Sequence, residues 1–253
     1  MMKMMILAPR RAGMTHAEFR AYVTQVHGPL VKRITEVAAD IRHYHYNFPV
    51  PGAADRAFGH PLADLDIVTQ GYFDSREAQL RNMQHPRFMQ FLRPDEANFA
   101  DTERALMHYT DEHPIVAGET TATKLFCFRR RAPSLSREAF QAMWKSGFPP
   151  LLDHTPLRRQ LARYVQNHVQ AEAHHPHGTQ PRYYDVIDEF WLRDVAALES
   201  LDAADAPDAP EAPASIDARA PLAATDPIRR FEAEVLDTGR TRSFVATMVA
   251  NIP

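Results

Sequence analysis

A single cysteine, Cys127, stands among the 253 residues. That excludes an intrachain disulfide framework and fits a reducing, cytoplasmic setting. Charge of one sign is equally scarce. The formal net charge is -3, so no clustered Lys/Arg surplus is available for a nucleic-acid backbone. No apolar run is long enough to cross a bilayer. The opening MMKMMILAP is short and lacks a small-residue cleavage site, so it reads as a strand and not as a signal peptide. There is no glycine-rich phosphate loop, no GxSxG elbow and no HExxH pair, which argues against nucleotide cofactors, serine hydrolysis and zincin chemistry. What is left is a soluble chain, 45% hydrophobic and 24% charged, free of cofactors and partnered by a small molecule, with neither nucleic acid nor membrane expected.

The chain does contain an internal repeat. GMTHAEFRAYVTQVHGPLV (13–31) aligns with SLSREAFQAMWKSGFPPLL (134–152), pairing Phe19 with Phe140 and Pro29 with Pro150 at an offset of 121. HYHYNF (43–48) aligns with RYVQNH (163–168) at an offset of 120, and LDIVTQGYF (65–73) with YDVIDEFWL (184–192) at 119. A drift of two positions over three blocks points to a duplicated unit.

Each copy reads β-α-β-β-α-β, the order of a ferredoxin-like α+β unit. In the first copy, Met2–Ala8 is strand-like, and Thr15 with Glu18 forms a capping box ahead of apolar residues at helical spacing. Gly28 is expected to end that helix and Pro29 to begin another. Ile41–Phe48 and Leu65–Phe73 read as strands, 75–91 as a helix broken at Pro86, and Arg104–Thr110 as the last strand. Asp111–Thr121 reads as a linker between domains 1–115 and 122–253. An Ala/Asp/Pro-rich insertion at 203–226 is expected to stay solvated and partly disordered. A four-stranded sheet with helices on one face must bury its other face, and a second copy on the same chain is the natural partner. The two sheets are therefore expected to close into a barrel-like body around one internal cavity.

The motifs GMTHAEFRAYVTQVHGPLV, RHYHYN and LDIVTQGYFDS resemble the EthD family of dimeric α+β barrel proteins, and RYVQNHV with YDVIDEFWLRD resembles it again in the second half. The resemblance covers nearly the whole chain. It implies two tandem ferredoxin-like domains forming an intramolecular dimeric α+β barrel with a small-molecule pocket. It also implies a reaction style shared with cofactor-independent cyclases, dehydratases, isomerases and monooxygenases, and leaves room for a homodimer.

His27 is the first catalytic candidate. It lies at a helix end just before Gly28-Pro29, where the helix dipole favours the imidazolium, and a group titrating near neutrality suits general acid–base work. Capping a terminal carbonyl is the structural alternative. Phe148 occupies the matching place, which suggests one working and one supporting half. His43 and His45 share one face of their strand, Tyr44 and Tyr46 the other, and the sequence leaves open which face lines the cavity. Asp66, Val68, Gln70 and Tyr72 share a face, as do Asp185, Ile187, Glu189 and Trp191. Carboxylates beside aromatics suit a cavity wall, so Asp66, Asp185 and Glu189 join His27 as catalytic candidates, with ion pairing as the alternative. Tyr44, His45, Tyr72, His168 and Trp191 are candidate substrate contacts. No metal site is expected: His43/His45 lacks further ligands, and His174, His175 and His177 lie in an open loop. Arg129–Arg131 reads as a solvated rim and Cys127 as an inert core thiol. The expected activity is a cofactor-independent proton-transfer reaction (dehydration, cyclisation, isomerisation or C–C lysis) on a small aromatic, polyketide-like or catabolic acid. A non-catalytic binding protein and a cofactor-free monooxygenase are the alternatives.

Overall fold

The structure, a computed structural model, describes residues 1–50, 65–153, 155–170, 184–193, 226–238 and 240–252. The insertion 203–225 and the loop histidines 174–177 fall outside those residues. Eight strands are β1 (Met2–Ala8), β2 (Ile41–Pro49), β3 (Ile67–Phe73), β4 (Leu106–Val116), β5 (Thr123–Arg129), β6 (Leu161–Val169), β7 (Val186–Leu192) and β8 (Arg242–Ile252). They close into one antiparallel barrel in the order β1-β3-β2-β8-β5-β7-β6-β4. Two tandem ferredoxin-like halves thus form an intramolecular dimeric α+β barrel. The seams between halves are β2 on β8 and β4 on β6. These seams account for one departure from the sequence reading. The stretch from Asp111, read as linker, continues β4 to Val116, because it pairs with β6 of the other half.

The alternation of each strand separates two layers. Met2, Met4, Tyr44, Tyr46, Phe48 and Phe73 face the helices of the first half, and Leu125, Cys127, Tyr164 and Phe190 those of the second. The barrel interior takes the other set. Met5, Leu7, Val68, Phe126, Phe128 and Ile187 pack it at one end, and a polar cluster fills the opposite end. Side chains therefore occupy the interior where an open cavity was expected.

Thr15 caps helix His16–Tyr22 through the capping box: its hydroxyl accepts from the Glu18 N–H at 3.2 Å, and the Glu18 carboxylate accepts from the Thr15 N–H at 2.8 Å. The helix does not stop at Gly28. It widens into a π-helical segment, Val23–His27, and runs on through Gly28–Arg33. Pro29 has no N–H and cannot close an α-helical turn, and the wider turn ahead of it absorbs the mismatch. Gly28 is needed for space, not for a left-handed turn. A Cβ there would lie 2.9 Å from Asn251 Oδ1 and 3.1 Å from the Val23 carbonyl. The same device recurs before Pro94, where the π-helical segment Phe88–Leu92 leads into helix Arg93–Phe99. In the second half Arg137–Leu152 is one continuous α-helix.

Candidate active site

The π-helical turn delivers His27 to the layer between the first-half helices and the outer face of β2, not to the barrel interior. Its Nδ1 lies 2.9 Å from Asp95 Oδ2, and the ring is 6% exposed. Asp95 Oδ1 accepts from the Tyr22 hydroxyl at 2.6 Å and from Asn98 Nδ2 at 3.3 Å. Burial pushes the Asp95 carboxyl up, but the bonds from His27, Tyr22 and Asn98 outweigh it and hold it below the usual carboxylate range. Asp95 therefore favours its ionised form and holds the imidazole through Nδ1. Phe99 packs against the imidazole at 4.7 Å between ring centroids and Tyr46 faces it at 6.5 Å. The Tyr46 hydroxyl is buried and has no protein partner. Burial, with Tyr44 and Asp95 nearby, keeps that phenol in its O–H form. A carboxylate-bound imidazole thus lies near a tyrosine whose buried hydroxyl has no protein partner, a group that water or a ligand would satisfy.

The second half carries different residues in the matching layer. At the positions matching Ala8, Val23, His27, Tyr46 and Thr69 stand Arg129, Trp144, Phe148, Gln166 and Asp188. Trp144 stacks on Phe148 at 4.4 Å, and Asp188 accepts from Trp144 Nε1 (3.1 Å), the Tyr164 hydroxyl (2.8 Å) and Arg129 Nε (2.9 Å). Every polar group in this cluster is paired, as a structural core requires.

The other candidates separate into three groups. Asp66 and Asp185 clamp the turns that follow β1 and β5. Asp66 binds the backbone N–H (2.7 Å) and the guanidinium (2.5 Å) of Arg10, and Asp185 binds the same groups of Arg131 (3.0 and 2.5 Å). The symmetry of these pairs marks them as shared fold elements, and Arg131 is thereby tied down rather than a free rim. Tyr44 and His168 face the helices. His168 bonds Gln166 at 3.1 Å, and burial with His113 beside it drives its pKa down to about 3. Cys127 also faces the helices, where burial pushes its thiol up to about 12.

His45, Tyr72, Glu189 and Trp191 face the barrel interior, in company with residues that composition and motif alone did not mark: Lys3, Lys124, Gln70, Asn47 and Asn167. Glu189 binds Lys3 Nζ at 2.6 Å and Lys124 Nζ at 2.7 Å, so it bridges the two halves. Burial works against its charge, yet the two ammonium groups hold it down to about 2. Burial and the neighbouring Lys3 lower Lys124 to about 8, while for Lys3 the attraction of Glu189, with Tyr72 and then Glu112 at 3.1 Å adding to it, outweighs burial and raises it above the ordinary lysine value. The repeat held the signal for this cluster: Lys3 and Lys124 match at the same offset of 121 as Phe19 and Phe140. Among the described residues no group of three or more His, Cys, Asp or Glu is placed to hold a metal ion, and no helix is long and apolar enough to cross a membrane.

A two-half antiparallel barrel with a His–Asp pair beneath one helical layer defines a member of the dimeric α+β barrel class. The EthD domain model matches residues 11–103 and 132–211, and the chain belongs to that family. It is 34% identical over 110 residues to a conidial pigment biosynthesis dehydratase EthD of Metarhizium robertsii, covering 40% of this chain and 75% of the relative. It is 30% identical over 104 residues to a decarboxylase AgnL1 of Paecilomyces divaricatus, covering 39% and 69%. Among solved structures, an anthrone oxidase-like protein superposes with a TM-score of 0.58 at 14% identity, covering 98% of this chain and 91% of that one.

Proposed function

We propose that the chain is a cofactor-independent lyase that dehydrates a small β-hydroxy carbonyl compound of aromatic or polyketide type in the helix–sheet layer of its first half. The observation that carries this reading is the His27–Asp95 pair facing the unpartnered Tyr46 hydroxyl. Relatives named as a dehydratase and a decarboxylase support it. His27 Nε2 takes the proton from the carbon beside the carbonyl, and the electron pair forms the new C=C bond as the C–O bond breaks. The imidazolium then gives its proton to the departing hydroxide, so water leaves and the neutral imidazole is restored. Tyr46, kept as O–H by burial, donates a hydrogen bond to the carbonyl oxygen as charge builds on it. Asp95 holds the tautomer and steadies the imidazolium.

The test is turnover of a β-hydroxy aryl ketone whose dehydration extends its conjugation, followed by absorbance. His27→Phe, the residue found in the second half, should lower kcat by about 10²- to 10⁴-fold with an unchanged circular dichroism spectrum. Asp95→Asn should lower it in the same direction and move the pH profile. Full turnover by folded His27→Phe would overturn the proposal.

A further inference from the structure

The polar end of the barrel interior is separate from the His27 layer and is not explained by it. Three buried atoms there have no protein partner: Trp191 Nε1, His45 Nδ1 and Asn47 Oδ1. Trp191 is 3% exposed and Asn47 is fully buried. Lys124 spends two N–H groups, on Gln70 Oε1 at 2.8 Å and Glu189 Oε1 at 2.7 Å, and an ammonium carries three. Lys124 Nζ sits 4.5 Å from the centroid of the Trp191 ring, and the Arg163 guanidinium lies 5.1 Å from the same ring. Two unused donors, the Trp191 indole N–H and the third N–H of Lys124, therefore lie side by side, with an unused acceptor in Asn47 Oδ1.

Charge and shape agree with that gathering. Lys3, Lys124 and Glu189 are all fully buried, and Glu189 is shared between the two ammonium groups. The second carboxylate that balances them, Glu112, stands partly exposed on the rim and bonds Lys3 and not Lys124. Lys124 therefore has the smaller share of counter-charge in direct contact, and a buried ammonium gains from a further one. This end is also the one that opens outward. His43, His45, Arg163 and Glu112 are only partly buried, and β8 contributes Ala246 opposite Lys124 and Ala250 opposite His45. Ala250 is exposed although the register turns it to the interior side. Between Ala246 and Ala250, Met248, opposite Asn47, is the one long side chain that β8 turns to this side.

We propose that this mouth of the barrel is a second small-molecule site, which takes a small organic carboxylate on the third N–H of Lys124 and the indole N–H of Trp191, with Arg163 at its entrance. The proposal does not depend on the chemistry assigned to His27.

The test is calorimetric titration of the intact protein with sodium benzoate and with sodium acetate. Saturable binding should appear in the parent and in His27→Phe alike. Trp191→Phe keeps an aromatic face but loses the pyrrole ring with its N–H, and should weaken binding about tenfold. Lys124→Met should weaken it more, by at least about thirtyfold, because a charged donor is lost. A parent affinity for both acids weaker than about 10 mM, or binding that Trp191→Phe leaves unchanged, overturns the proposal and assigns the three atoms to water. Binding lost in His27→Phe but kept in Trp191→Phe would place the carboxylate in the helical layer and also overturn it.

Discussion

Replacing Glu189 with Gln removes the carboxylate that joins the halves from inside. The substitution keeps the volume and puts an amide N–H toward two ammonium groups. Lys3 keeps Glu112 at 3.1 Å and Asn167 at 2.9 Å, so the loss falls on Lys124, which retains only Gln70. Removing one partner of a buried pair costs about 3–5 kcal/mol, and Lys124 can escape part of that by giving up its proton. Its pKa is already down to about 8 with Glu189 present, and without that attraction it falls further. In the variant Lys124 therefore gives up its proton on folding at a lower pH than in the parent. Stability of the variant should rise with pH between about 6 and 8, by up to about 1.4 kcal/mol per pH unit, while the parent's Lys124 contributes slope only as pH approaches 8. Urea unfolding followed by Trp144 and Trp191 fluorescence reads both quantities. Adding Lys124→Met to Glu189→Gln should recover most of the loss, since a single ammonium then faces Glu112 and Asn167. A loss below about 1 kcal/mol at pH 6, or a double variant no more stable than the single, refutes the reasoning.

Acid should weaken the fold through two buried imidazoles. His45 is lowered to about 4, mainly by burial with Lys124 adding to it, and His168 to about 3. Both are neutral when folded and protonated when unfolded below about 6.5, so stability falls as pH drops from 6.5 toward 4. His45→Gln/His168→Gln should flatten that slope in urea melts at successive pH values, and an unchanged slope counts against the placement of both rings. Gly28→Ala should lower stability by about 1–3 kcal/mol, because its Cβ meets Asn251 Oδ1 and the Val23 carbonyl, and Asn251→Ala should return part of it. A Gly28→Ala protein with the parent's Tm would show that the contact is not tight. Glu189 itself, held down to about 2, supports the fold above about pH 4.5 and is lost as pH falls toward 2, so a second acid transition should appear there that Glu189→Gln lacks.

Local chemistry was legible from the chain alone. The offsets of 121, 120 and 119 announced the duplication, and Thr15 with Glu18 announced a helix start that the structure realises. Binary alternation put Gln70 with Tyr72, and Glu189 with Trp191, on shared faces, because a strand's side-chain period is two whatever surrounds it. Which face met which neighbour was decided by closure of the barrel. Tertiary pairing extended β4 through Asp111 to Val116, and turned His43 and His45 inward and Tyr44 and Tyr46 toward the helices. It also joined Lys3 to Glu189 across 186 positions and His27 to Asp95 across 68, distances in sequence that no periodicity spans. Propensity and period are properties of neighbours along the chain. Charge partners and filled space are properties of neighbours across it, and only the packed halves could show that Phe148 stacks on Trp144 in one half where His27 binds Asp95 in the other.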